Sequence, residues 1–159
     1  MPVEMKGSCR CGEVAFSALS HTPYPYLRCY CSICRKLSGG GGYTINIMAV
    51  TETLQHSDTE SLGTYRVMRD GETSLNERRF CTLCGSMLWG WHPDYPELFH
   101  PFASAIDTEL PVPPTTTHIM LASKAKWVEP EVAPDDLSFD AYPDQSIEDW
   151  HKSRGLWVA

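Results

Sequence analysis

Apolar and polar residues alternate along this chain in runs of four to eight, and almost nowhere at the helical period. Glu13-Val14-Ala15-Phe16-Ser17-Ala18 reads as a short strand, and Tyr26-Leu27-Arg28-Cys29-Tyr30 as another. Tyr43–Val50, rich in β-branched residues, is the clearest strand. Further strands are expected at Thr64–Met68, Leu75–Cys81, Ser86–Trp91, Leu98–Ala103, His118–Leu121 and Ala125–Val128. The gaps between them are short, which favours hairpins and antiparallel sheets. Two helical turns interrupt the pattern. Ser32 is placed to cap one running to Leu37, which the run Gly39-Gly40-Gly41-Gly42 ends, and Ser146 to cap a second through Lys152 with acids in its first turn. Twelve prolines and eleven glycines agree with many short elements.

A chain of 159 residues is sized for one domain with an ordinary core. Its N-terminus has no apolar signal-peptide core, and no stretch is long enough to span a bilayer. A formal charge of -7 argues against nucleic acid or an anionic membrane as partner.

Seven cysteines in three tight arrays sharpen this outline: Cys9-Arg10-Cys11-Gly12, Cys29-Tyr30-Cys31-Ser32-Ile33-Cys34, and Cys81-Thr82-Leu83-Cys84-Gly85. A secreted disulfide scaffold is usually shorter and has an even count, and spacing this tight suits disulfide geometry poorly. The chain therefore reads as cytoplasmic, with reduced cysteines that bind metal. Four thiolates close a tetrahedral zinc site, whereas three leave one position vacant. A four-thiolate zinc carries -2 and a three-thiolate zinc -1, so filling both would take the formal charge from -7 to -10.

Side chains at i and i+2 of a strand share a face, so Cys29 and Cys31 can present both sulfurs to one ion, and Cys34 returns to it through the turn at Ser32. Gly12 and Gly85 follow the other two arrays and permit the positive φ that folds amides back toward sulfur. Two such knuckles, distant in sequence, make a four-cysteine site when the sheet ends meet; closing a long loop costs only logarithmically more than closing a short one. Spacing alone also allows other partitions, such as Cys9 and Cys11 with Cys31 and Cys34.

The three arrays in this order, with their flanks Gly7-Ser8, Arg35-Lys36 and Phe80 with Ser86, resemble the glutathione-dependent formaldehyde-activating enzyme family. His118-Ile119-Met120 and Ala125-Lys126-Trp127-Val128 match the way that family's domain ends. The likeness covers about residues 5–130 of a single domain, 1–159, with 131–159 as a C-terminal extension. It implies a mainly β fold, an antiparallel β-tent pinned by zinc, and two Zn²⁺ per chain. Cys9, Cys11, Cys81 and Cys84 would hold the structural zinc, and Cys29, Cys31 and Cys34 the catalytic one. The implied activity is that of a carbon–sulfur lyase joining formaldehyde to the thiol of glutathione, or the reverse. Where the family commonly has histidine between the first two cysteines of the middle array, this chain has Tyr30, a departure bearing on substrate preference rather than metal binding.

Glutathione is an anion, so an acidic protein needs local cations to hold it, and Arg35 and Lys36 beside the array are the candidates for substrate binding. His92, His100 and His118 are more simply packed or exposed side chains than ligands, although the loop of His92 is within possible reach of a site. Trp89, Trp91, Phe99 and Phe102 suit a core or a pocket wall. Arg78 and Arg79 are adjacent on a strand and must face opposite ways. Two alternatives stand beside the lyase: a non-catalytic module in which every metal is structural, and a relative acting on another thiol adduct. A methionine sulfoxide reductase, which needs a reactive cysteine outside the metal site, fits least, since every cysteine lies in an array.

Overall fold

The computed structural model describes residues 1–159 as a mainly β molecule with two short helices, one of them C-terminal. The first sheet pairs β1 (Val3–Ser8), β2 (Ala15–Ser20) and β6 (Gln55–His56), all antiparallel. The second and largest runs in the order β5 (Ala49–Val50), β12 (Leu98–Pro101), β11 (Met87–Trp91), β10 (Glu77–Cys81) and β7 (Leu62–Tyr65), again antiparallel. The third sets β14 (Leu137–Ser138), β13 (Thr117–Ile119), β3 (Leu27–Cys29) and β4 (Thr44–Ile45) side by side. A hairpin, β8 (Met68–Arg69) with β9 (Glu72–Thr73), stands apart. Helices α1 (Ser32–Ser38) and α2 (Ile147–Ser153) complete the molecule.

Two cores lie between these layers. Phe16, Trp89, Phe99 and Leu88 fill the space between the first two sheets and reach Cys9 and Cys81 at its edge. Tyr26, Leu27, Ile119 and Trp150 pack round Cys29 and Cys34 in the other. Each core therefore ends on a pair of cysteines, so the sulfurs of Cys9, Cys81, Cys29 and Cys34 are fixed by buried apolar neighbours.

Several expectations are corrected. The run Tyr43–Val50 is not one strand: it gives β4 to the third sheet and β5 to the second, with Ile47 N–H bonded to the Pro101 carbonyl between them. It crosses from one layer to the next, which explains why it is apolar on both sides. Ala125–Val128 is a turn, closed by Val128 N–H on the Ala125 carbonyl; it buries residues three apart, and Trp127 is left exposed. β1 escaped notice because its inward positions are Met5 and Gly7, and glycine erases the alternation. A methyl group on Gly7 would stand 2.5 Å from the Phe16 ring and 2.6 Å from the Ala105 carbonyl, so only glycine fits. Pairing is antiparallel except around β13, which runs parallel to both β3 and β14 because long connections return the chain in the same sense.

The C-terminal helix is capped by Ser146, whose hydroxyl accepts from Asp149 N–H at 3.0 Å. It docks Trp150 flat on Tyr26, ring centroids 3.7 Å apart, while His151 Nε2 accepts from Tyr24 N–H at 3.2 Å. The helix thus lies against the segment that leads into Cys29. Trp150→Ala should cost about 3–5 kcal/mol of stability, read from chemical denaturation.

Candidate metal centres and the surrounding site

The four sulfurs of Cys9, Cys11, Cys81 and Cys84 lie within 4.8 Å of one another, and so do the three of Cys29, Cys31 and Cys34. Cys9 and Cys11 do not approach the middle array. In the first group the Cys9–Cys11 sulfurs are 3.6 Å apart and the Cys11–Cys81 sulfurs 3.8 Å. Both spacings exclude a disulfide. They match the edge of a tetrahedron with metal–sulfur bonds of about 2.3 Å, which is about 3.8 Å, so the donor set and its dimensions fit zinc.

Local structure explains how the four-cysteine group is aimed. Gly12 and Gly85 take φ of 84° and 79°, as the knuckle reading expects. Gly12 N–H then bonds the Cys9 carbonyl, and Gly85 N–H the Cys81 carbonyl. Val14 N–H donates to the Cys9 sulfur at 3.2 Å, and the Ser86 hydroxyl stands 3.2 Å from that of Cys84. The Ser86 hydroxyl, then its amide, lowers the Cys84 thiol to about 5. Cys9 follows β1 and Cys81 ends β10, so the group ties the first sheet to the second.

The middle array spans the end of β3 and the start of α1. The N-cap of that helix is Cys31, not the expected Ser32: its sulfur accepts from Cys34 N–H at 3.3 Å. One cysteine therefore caps the helix that carries the next. Hydrogen bonds from the Cys29 and Cys34 sulfurs bring the Cys31 thiol down to about 2, and the same contacts push Cys29 far above the thiol range. The trio gives up one proton readily and resists losing another, because each further thiolate meets a like charge. A divalent cation removes that resistance.

Tyr30 points the other way. It is 1% exposed, its hydroxyl is 2.8 Å from His118 Nδ1, and His118 Nε2 is 3.1 Å from Asp136 Oδ2. One tautomer satisfies the chain: Tyr30 O–H donates to Nδ1, and Nε2–H donates to the carboxylate. Asp136 also accepts from Thr116 and Ala133 N–H. Tyr30 thus anchors the segment beneath the array, and its buried ring offers no surface to a substrate. His118 is the packed residue that the sequence suggests.

Arg35 and Lys36 follow Cys34 on α1 and line a cavity of about 730 Å³ together with Arg10, Ser86 and Asp107; Cys9 of the four-cysteine group borders it, and none of Cys29, Cys31 and Cys34 does. The Arg35 Nε is buried without a partner. His92 belongs to a surface turn, where its Nδ1 accepts from Asp94 N–H at 3.1 Å, and lines none of the larger cavities. Arg78 and Arg79 face opposite ways as required. Arg79 donates to the Gly63 carbonyl beside Trp89, and Arg78 turns toward Cys34. A smaller hollow of about 170 Å³, bounded by Asn46, Asn76, Arg78 and His100, had no counterpart among the expected site residues. Its one sequence signal is Gly90, a glycine inside a strand, which marks close approach or open space.

With this geometry in view, the comparisons with known proteins fall into place. The family model described as glutathione-dependent formaldehyde-activating enzyme matches residues 4–123. The chain belongs to that family. A protein of Halomonas elongata, named as a candidate glutathione-dependent formaldehyde-activating enzyme, is 51% identical over 152 residues, 96% of this chain and 97% of its own. A solved protein of Rhodobacter sphaeroides superposes with a TM-score of 0.50 at 25% identity, covering 67% of this chain and 92% of the other. The Halomonas relative extends through most of the segment beyond residue 123, including the C-terminal helix.

Asp136 supplies a pH test. Burial works against its ionised form, but the amides of Thr116 and Ala133 and the His118 ring outweigh it, holding the carboxyl below its ordinary 3.8. A carboxyl depressed by folding stabilises the protein above that value and ceases to as pH falls through the folded one. Asp136→Asn should therefore cost about 1–3 kcal/mol at neutral pH, and the gap to wild type should close below about pH 4, measured by denaturation at several pH values.

Proposed function

We propose that this protein is a zinc-dependent carbon–sulfur lyase of the S-(hydroxymethyl)glutathione synthase type, joining formaldehyde to the thiol of glutathione or running the reverse. The observation that carries this reading is the division of seven sulfurs into a group of four and a group of three within a chain of this family. Four donors saturate a tetrahedral ion, and three leave a place for a ligand from outside.

Cys9, Cys11, Cys81 and Cys84 hold the structural zinc in this reading, and Cys29, Cys31 and Cys34 the catalytic one. Zinc in the second place supplies Lewis acidity, making a bound thiol available as thiolate at neutral pH. Three thiolate donors soften that site and favour sulfur over oxygen as the incoming ligand. The chemistry balances without redox: the substrate S–H gives up its proton, sulfur bonds to the carbonyl carbon, and the former carbonyl oxygen takes up a proton. The chain's own residues position the reactants. Buried Cys29 and Cys34 fix the rim of the site, and the Cys34 amide steadies Cys31. Arg35 and Lys36, which follow Cys34 on α1, bind glutathione in this reading; the 730 Å³ cavity they line also holds Arg10 and Asp107 and borders Cys9 rather than the middle array. No helix of the chain is long and apolar enough to cross a membrane, consistent with a cytoplasmic enzyme on a small-molecule thiol.

The competing reading, a binding module with two structural metals, differs in what each array is for. Cys31→Ala should fold with a melting temperature within a few degrees of wild type and lose catalysed exchange of formaldehyde with its glutathione adduct, followed by NMR. Cys84→Ala should fail to fold or lose several kcal/mol. Equal destabilisation by both substitutions, or no acceleration by the protein loaded with two zinc ions, would overturn the lyase reading.

A further inference from the structure

Arg78 is a buried cation that no carboxylate of the protein pairs, although its charge is felt at Cys34. It is 9% exposed, its Nε has no hydrogen-bond partner, and none of the protein's ion pairs includes it. Its guanidinium lies over the ring of Phe102, with Cζ 5.9 Å from the centroid. Burying a guanidinium in this way is unfavourable unless something completes it.

The sheet register shows what it faces. Arg78 lies opposite Gly90 on β11, and Gly90 opposite His100 on β12, so the three form one row on one face. Gly90 contributes no side chain, and the gap it leaves is the 170 Å³ hollow. Asn46 and Asn76 bring amide groups to it, and no carboxylate lines it. His100 is not a second cation: burial lowers its pKa, and its Nδ1 is engaged with the Ile47 carbonyl at 3.1 Å. Arg78 and Asn76 also border the neighbouring hollow of about 330 Å³, which reaches Ile33 between Cys31 and Cys34. Arg69, Asp70 and Glu72 line the outer part of that hollow, and neither acid pairs with Arg78. Ile147 of α2 closes the smaller hollow from beyond the segment matched by the family model.

We propose that Arg78, flanked by Asn46 and Asn76, receives a carboxylate of the thiol substrate, so that the ion pair missing from the free protein forms when substrate binds. The inference rests on the lyase reading for its substrate and assigns the group that is recognised. A planar guanidinium matches a carboxylate in a two-pronged pairing, and side-chain amides supply further donors. The tail helix, through Ile147, then shapes the same pocket, which makes the extension part of substrate selection.

The test uses the protein loaded with two zinc ions and S-methylglutathione, which keeps both carboxylates but has no S–H to react. Calorimetry should show binding to wild type, at least about tenfold weaker binding to Arg78→Met, and partial recovery in Arg78→Lys. Arg78→Met should melt no lower than wild type, since it removes an unpaired buried charge. The absorption spectrum of cobalt at the three-cysteine site should be the same in both. Unchanged affinity in Arg78→Met, no binding to wild type, or an altered cobalt spectrum would each overturn the proposal. Binding that depends on Arg78 without any catalysed formaldehyde exchange would keep this pocket and sink the lyase reading instead.

Discussion

Crowding of sulfur is the constraint on which the rest of this structure depends. Four sulfurs from the two ends of the 76-residue stretch Cys9–Cys84 meet within 4.8 Å, at the point where β1 and β10 both finish. Thiolates so close repel one another unless a cation lies among them, and a cation there would join the ends of two sheets, beside the hydrogen bond from Arg10 N–H to the Ser86 hydroxyl. The apolar core between the sheets does the complementary task. It buries Cys9 and Cys81 while Cys11 and Cys84 stay exposed, so half the cluster is held by packing and half by the knuckle turns.

The middle array solves a different problem with the same atom. Its three sulfurs come from one short segment and tie no distant elements together. Their rigidity is borrowed from behind: Trp150 stacks on Tyr26 upstream, and the Tyr30–His118–Asp136 chain locks the back of the strand. The extended backbone that continues past the end of β3 to Cys31 makes this possible, since Tyr30 turns to His118 behind while Cys29 and Cys31 meet in front. Rigid support behind and an incomplete ligand set in front suit a site that must exchange a ligand without moving.

Much of this was legible before any coordinates. The grouping of the arrays into four cysteines and three was implied by the family resemblance and not by spacing alone, and the glycine after each knuckle was readable as a positive-φ turn. The strands expected between Leu75 and Ala103 are present as β10, β11 and β12, within one or two residues of their expected starts. Elements were misread where one residue served two layers, as at Ile47, or where a glycine hid an inward position, as at Gly7. Ala125–Val128 has the composition of a strand, but its buried residues are three apart, and only the turn it makes accommodates that.

The sequence by itself determined that the chain is a β protein and that its seven cysteines are spaced as metal ligands. These are local facts: period-two patterning, tight spacing and turn glycines act within a few residues. Which sulfurs meet, which way Tyr30 faces, and the lone cation beside Cys34 were decided only by tertiary structure. Arg78, Gly90 and His100 are separated by ten or more residues each, and nothing but the register of three strands lines them up. A pocket defined by an absent side chain and an unpaired charge is a property of neighbours in space, where the order of residues along the chain carries little trace of it.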